Sequence, residues 1–232
     1  MLTLAVECAT KSVGLALLED EGVLAELYVR LGRHHAEVLL PALDKLFIMS
    51  GFTPGNLDLL ACTVGPGSFT GLRIGVSTVK GLALATGKPI VGVSTLETLA
   101  MNAIPSRHLI CPMLDAQKNQ VYAGLYRMGP DDLPIAERPD RLTSAPDLLR
   151  ELADREVVFL GDGALRHEKL ICETIKCRTI LSGSSHQRLM ASAVGLIGLR
   201  QFRRGTIMHV PTFTPRYLRL SEAETMCGKR SG

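Results

Sequence analysis

The chain has 232 residues, 46% of them hydrophobic and 4% aromatic, no tryptophan, and a formal net charge of +3. That length holds one large domain or two small ones, and so slight a charge with so few aromatics argues against a direct nucleic-acid binder. No apolar stretch approaches the roughly 18 residues a membrane span needs, and Met1–Glu7 lacks the basic leader of a signal peptide.

Leu2–Val6, Val13–Leu18 and Val23–Leu31 read as three strands separated by polar turns, an antiparallel meander. A helix follows from about His34 to Ser50, stopped by Gly51. Leu59–Val64 is a buried strand, Thr70–Ala85 a helix, and Ile90–Val93 a short strand. Ser94 or Thr95 then caps a helix to about Ala103, with Glu97 placed to close a capping box. From His108 the pattern restarts. Leu109–Asp115 and Val121–Met128 form a hairpin across residues 116–119, and a Pro-rich charged segment spans 130–146. Next come a helix at 145–153, the strand Val157–Leu160, a helix from about 163 to 174, a short strand at 178–181 and a long helix from His186 to Phe202. The fold class is α/β, two similar units in tandem with a cleft between them. Ile104-Pro105-Ser106 marks the boundary, giving lobes at 1–104 and 105–225, the end of the second returning toward the first, and a disordered tail at 226–232.

The most informative segment is Gly65-Pro66-Gly67-Ser68-Phe69-Thr70-Gly71-Leu72-Arg73-Ile74-Gly75, a glycine turn between a strand and a helix. Gly65 and Gly67 permit positive φ or close approach of a ligand, Pro66 stiffens the turn, and Ser68 or Thr70 can cap the helix. Free N–H groups at such a helix start suit phosphate or carboxylate. The spacing is neither the P-loop's nor the dinucleotide fingerprint's, so a purely structural turn remains an alternative.

The 34–49 helix carries apolar side chains over an arc of roughly 200°, about twice the usual core-facing stripe. It must bury a second face. His35, Val38, Leu39, Ala42, Leu43, Leu46 and Met49 are the candidate interface, joined by Arg73, Ser77 and Gly81 on the next helix, where Ser77, Gly81 and Ala85 form a small-residue ridge; a helix sandwiched between lobes of its own chain is the alternative. Glutamate at Leu39 or Leu43 is then expected to abolish pairing and spare the fold.

Other chemistry is sparse. The six histidines (34, 35, 108, 167, 186 and 209) include no i, i+4 pair, and no His-Glu-x-x-His or Gly-x-Ser-x-Gly occurs. Six scattered cysteines without Cys-x-x-Cys fit small hydrophobes in a reducing cytoplasm. Arg200, Arg203 and Arg204 read as cations at a helix end facing water. Asp115 and Asp162 are the carboxylates best placed to face a cleft, with turn chemistry an equal alternative.

Leu4–Thr10, the Gly65–Gly75 block, Gly92–Glu97, His35-Ala36-Glu37, Leu114-Asp115-Ala116, Gly161-Asp162-Gly163 and Pro215–Arg219 together resemble the TsaB (YeaZ) family. The resemblance spans nearly the whole chain. It implies two RNase H-like lobes of the actin-like ATPase superfamily. It also implies a non-catalytic scaffold for threonylcarbamoyl transfer to N6 of adenosine 37 in tRNA, with TsaD and TsaE as partners, a homodimer when TsaD is absent, and tRNA reached through the complex. Proteins of the TsaD type hold a metal with paired histidines, which this sequence lacks. The superfamily's first strand usually ends at an aspartate, whereas Glu7 stands here. Glu7, Thr10, Gly65, Pro66, Gly67, Ser68 and Gly71 therefore form at most a weak or vestigial site for ATP or ADP, with Mg only through the nucleotide; no cofactor is expected to be required. An independent small-molecule kinase or metallopeptidase of the same superfamily is the alternative.

Overall fold

The computed structural model describes residues 1–30, 35–176, 179–181 and 187–219. The first unit runs β1 (Leu2–Glu7), β2 (Ser12–Glu19), β3 (Gly22–Arg30), α1 (His35–Ser50), β4 (Leu59–Gly65), α2 (Phe69–Thr86), β5 (Ile90–Ser94) and α3 (Thr95–Ala100). The second runs β6 (Leu109–Asp115), β7 (Gln120–Met128), β8 (Pro134–Ser144), α4 (Ala145–Leu152), β9 (Val157–Leu160), α5 (Asp162–Arg166), α6 (Glu168–Thr174), β10 (Thr179–Leu181) and α7 (Ala191–Arg203). The two sheets, β3-β2-β1-β4-β5 and β10-β9-β6-β7-β8, share one plan. In each, the first three strands form an antiparallel meander and the remaining two add in parallel.

All six residues of β1 are buried because helices cover both faces of its sheet. Leu4 and Val6 pack with Leu39, Leu43 and Leu46 of α1 and Val76 and Val79 of α2. On the opposite face, Ala5, Ala16 and Ala61 meet Ala191, Val194 and Ile197 of α7. Small residues let α7 approach closely: a Cβ on Gly198 would lie 2.6 Å from the Ala61 Cβ, and one on Gly195 2.3 Å from the Leu18 Cδ1. Burial of each leucine in such a core contributes ~1.5–3 kcal/mol.

The lobes exchange helices. α3 leaves the first sheet and packs Leu96, Leu99 and Ala100 on Ile110, Leu114, Tyr126 and Leu160 of the second. α7 makes the reverse journey, and beyond it Met208 bridges Ile90 while Phe213 is fully buried in the first core. The stretch from Ala191 to Arg219 thus belongs by its contacts to the first lobe. The tail at 226–232 lies outside the described residues.

Several elements differ from expectation. The charged segment after Met128 forms β8, an edge strand whose arginines and glutamates pair with neighbours (Arg141 with Glu151 at 2.6 Å) instead of following an apolar alternation. The 163–174 helix is two, broken at His167, where φ is −107°. α7 begins at Ala191 instead of 186, and its Met190 cap position supplies no side-chain bond; Glu26 of β3 instead accepts from the Ser192 N–H and hydroxyl, each at 3.0 Å. Ser94 caps α3, but Glu97 closes no capping box. It turns inward, where Gln201 Nε2 donates to it at 3.4 Å and burial pushes its pKa up to about 7. Arg200 is largely buried rather than water-facing, and its guanidinium lies 3.1 Å from Asp131. Among the described residues, no helix is long and apolar enough to cross a membrane.

Candidate functional site

A cleft of about 640 Å³ opens where four segments converge: the β1–β2 turn at Ala9–Lys11, the glycine turn at Pro66–Phe69, the β6–β7 turn at Asp115–Gln117, and the segment Arg216–Arg219. Asp162 and Tyr122 complete its wall. Of the expected anion-site residues, Thr10, Pro66, Gly67 and Ser68 line this cleft and Glu7, Gly65 and Gly71 do not; the two expected cleft carboxylates, Asp115 and Asp162, line it as well. Arg216, Tyr217 and Arg219 were missed as site residues. The cation and aromatic density of Pro215–Arg219 was the available signal, but only the return of this segment brings it to the cleft.

The glycine turn does not present an open phosphate cradle. Ser68 donates its backbone N–H to the Ala9 carbonyl at 2.6 Å, and its hydroxyl accepts from the Gly71 N–H at 3.2 Å. A Cβ on Gly67 would lie 2.3 Å from the Ala9 oxygen, and one on Gly71 2.0 Å from the Cys8 oxygen. Gly65, at φ +124°, would bring a Cβ to 2.5 Å from the Arg216 oxygen. The glycines therefore admit the chain's own backbone, where a nucleotide-binding turn would admit a ligand.

Glu7 is fully buried beneath the β1–β2 turn and does not line the cleft. Its carboxyl accepts from the Ala9 N–H at 2.5 Å and from the Ser12 hydroxyl at 3.4 Å. Burial nevertheless outweighs these bonds and pushes its pKa up to about 8, so it is mostly protonated at neutral pH. Glu7, where the superfamily's first strand usually ends in an aspartate, is thus not open to a nucleotide–magnesium group in the cleft. Burial also drives the Cys8 and Cys62 thiols upward, with Glu7 adding to the shift, which keeps both in the unreactive thiol form.

Asp162 holds the backbone of Asp115, whose own carboxylate turns to other partners. The Asp115 N–H donates to Asp162 Oδ1 at 2.9 Å, Asp115 accepts from the Gln117 N–H at 2.9 Å, and Arg166 reaches it at 2.6 Å. Burial raises the Asp162 pKa. Among the described residues, no cluster of three His, Cys, Asp or Glu side chains could hold a metal ion.

The expected interface divides. Leu39, Ala42, Leu43 and Leu46, with His35, are buried inside the first lobe, and of these only Leu39 borders the groove between α1 and α2. The His35 ring instead bonds the Thr10 carbonyl at 2.7 Å through Nε2. Val38 is half-buried against the same core. Met49, Arg73, Ser77 and Gly81 are exposed. The apolar side chains that the core leaves outside are Leu40, Ile48 and Met49 on α1, 59%, 72% and 76% exposed, and Leu84 on α2, 74% exposed; of these four only Met49 was expected at the interface. Between the helices lies a groove of about 300 Å³, lined in part by Leu40, Arg73, Ile74 and Ser77. Arg73 also turns toward the cleft, its guanidinium 3.8 Å above the Phe69 ring and its Nε donating to the Tyr217 hydroxyl at 3.0 Å.

The family model for TsaD, tRNA N6-adenosine threonylcarbamoyltransferase, matches residues 22–227. The tRNA threonylcarbamoyladenosine biosynthesis protein TsaB of Bacillus subtilis is 34% identical over 226 residues, 97% of this chain and 96% of that protein. The chain belongs to the TsaB (YeaZ) family. TsaB of Escherichia coli is 32% identical over 168 residues, covering 70% of this chain and 72% of its own length. The solved structure of YeaZ from Pseudomonas aeruginosa superposes with a TM-score of 0.77 at 26% identity, over 94% of this chain and 99% of that one. The TsaB family accounts for the architecture: two RNase H-like lobes of the actin-like ATPase type.

Proposed function

We infer that this chain is a TsaB-type subunit in the formation of threonylcarbamoyladenosine in tRNA, acting at adenosine 37 and pairing with a TsaD-type transferase through the α1–α2 face. The observation that carries the pairing is the groove between those helices, with Leu40 and Leu84 exposed at 59% and 74% on the two helices that form it. Apolar side chains at that exposure, beside small residues that permit close helix approach, suit a protein partner. The same face serves a second copy of this chain when the transferase is absent, and a TsaE-type ATPase joins the complex.

The chain supplies no catalytic group of its own. Its glycine turn is closed on Ala9 and Glu7 is buried, which supports a scaffold that needs no nucleotide for itself. An independent kinase or peptidase is not favoured, because the relatives are named as biosynthesis proteins of this pathway. Reconstitution tests the reading. Purified TsaD-type and TsaE-type proteins and the adenylate-forming enzyme should modify tRNA only when this chain is added; equal modification without it refutes the assignment.

A further inference from the structure

The turn joining β6 to β7, at the mouth of the cleft, is held in an uncommon conformation. Gln117, Lys118 and Asn119 follow one another in the left-handed region, at φ +62°, +51° and +58°. Side chains disfavour that region because Cβ crowds the following carbonyl, so three in a row persist only where the surroundings impose them. Bonds inside the turn do part of this. The Asp115 carboxylate accepts the Gln117 N–H at 2.9 Å, and the Gln120 N–H donates to the Gln117 carbonyl at 2.9 Å. The rest comes from across the cleft, where Arg219 donates to the Ala116 carbonyl at 2.5 Å and to Gln120 Oε1.

Arg219 belongs to a segment anchored on the other lobe. Phe213 is fully buried in the first core, and the Arg216 N–H donates to the Val64 carbonyl at 2.7 Å. Tyr217 stacks on Phe69 with ring centroids 4.6 Å apart, under the bond from Arg73. Residues 213–219 thus cross the cleft from the glycine turn to the left-handed turn. Their anchor includes a cation that also lines the α1–α2 groove.

We propose that residues 213–219 latch the two lobes across the cleft, and that a partner engaging Arg73 on the α1–α2 face loosens the latch. The second half rests on the pairing inferred above. A partner carboxylate or carbonyl that takes the Arg73 guanidinium withdraws the donor from the Tyr217 hydroxyl and the cation from the Phe69 ring. The strap then loses the stack that steadies it, so its backbone bond at Arg216 opens more often, Arg219 loses its orientation, and the left-handed turn is released. Docking on one face thereby changes the mouth of the cleft on another.

Amide hydrogen exchange on the full chain tests each half. The Gln117 and Gln120 amides report on the turn, that of Arg216 on the strap, and those of β4 on the fold. Arg219→Ala should speed exchange at Gln117 and Gln120 about tenfold or more and leave β4 unchanged, because the opening is local. Arg219→Lys, which can replace one of the two bonds, should fall between. Unchanged exchange at the turn in Arg219→Ala overturns the latch. Without any partner, Arg73→Ala should speed exchange at Arg216 and Gln120, and a saturating TsaD-type protein should have the same effect on the unaltered chain. Complex formation on size exclusion with no change at Arg216 overturns the coupling and leaves the pairing intact. Absence of any complex refutes the pairing and the coupling together, while the Arg219 variants still decide the latch.

Discussion

The Ser68 amide and the Ala9 carbonyl, 2.6 Å apart, join the glycine turn to the end of the first strand. In an anion-binding turn that N–H points at a ligand. Here the chain's own backbone has taken the place, and Gly67 and Gly71 have no side chains because Ala9 and Cys8 lie against them. The turn is a lock between β1 and α2, and it fixes the orientation of the helix that carries Arg73, Ser77 and Gly81.

If the turn is a lock, its glycines matter for stability. Gly67→Ala would place a methyl 2.3 Å from a backbone oxygen that cannot move aside cheaply. We expect a loss of ~1–3 kcal/mol, typical of overpacking, measured by urea unfolding. A variant as stable as the parent would restore the turn as an open ligand cradle.

Pairing should respond to exposed positions and not to buried ones. Leu40→Glu should weaken association with a TsaD-type partner by roughly 30-fold or more, a hot-spot effect, at an unchanged melting temperature. Leu43→Glu, expected from the sequence to act on pairing alone, should instead unfold the chain, because Leu43 is buried in the first core and an unpaired buried charge costs several kcal/mol. Analytical ultracentrifugation beside thermal melts separates the two outcomes.

Stability should fall as pH rises through neutrality. The Glu7 pKa is raised from 4.5 to about 8 by burial. Below 4.5 the folded and unfolded chains both hold the proton; between 4.5 and 8 only the folded chain keeps it, so stability declines across that window and levels off above it. The total decline is ~5 kcal/mol at 1.36 kcal/mol per pH unit. Glu97, raised to about 7, adds a smaller decline of the same sign. Melts from pH 5.5 to 8.5 should show this slope, and Glu7→Gln should flatten most of it. A Glu7→Gln slope equal to the parent's would mean that Glu7 is charged in the folded chain.

The returning helix has its own test. Glu26→Ala removes the acceptor for both the N–H and the hydroxyl of Ser192 at the start of α7, and should cost ~1–2 kcal/mol, as the loss of a helix cap does. The effect should appear as faster amide exchange in α7 and the segment that follows it. No change in either would assign the start of α7 to packing alone.

Much of the architecture was legible because local rules suffice for it. Period-2 and continuous apolar runs marked most of the strands, and glycines and polar turns bounded them. β8 was not, because an edge strand carrying Pro134, Arg138, Pro139 and Arg141 obeys pairing with β7 instead of a hydrophobic alternation. The break at His167 and the late start of α7 escaped for a related reason: both depend on contacts between elements.

The candidate site divides along the same line. The residue pattern alone identified the family, the glycine turn, the cleft carboxylates Asp115 and Asp162, and a first long helix with more apolar surface than one core can bury. It could not say which side of that helix faces inward. Nor could it show that Glu7 lies beneath the cleft, that Ala9 occupies the anion position, or that Tyr217 and Arg219 return to cross it. Periodicity and turn chemistry are properties of a few neighbouring residues. Burial, and the partner each donor finds, depend on segments from about fifty to more than a hundred residues apart, and only the tertiary structure decides which of them meet.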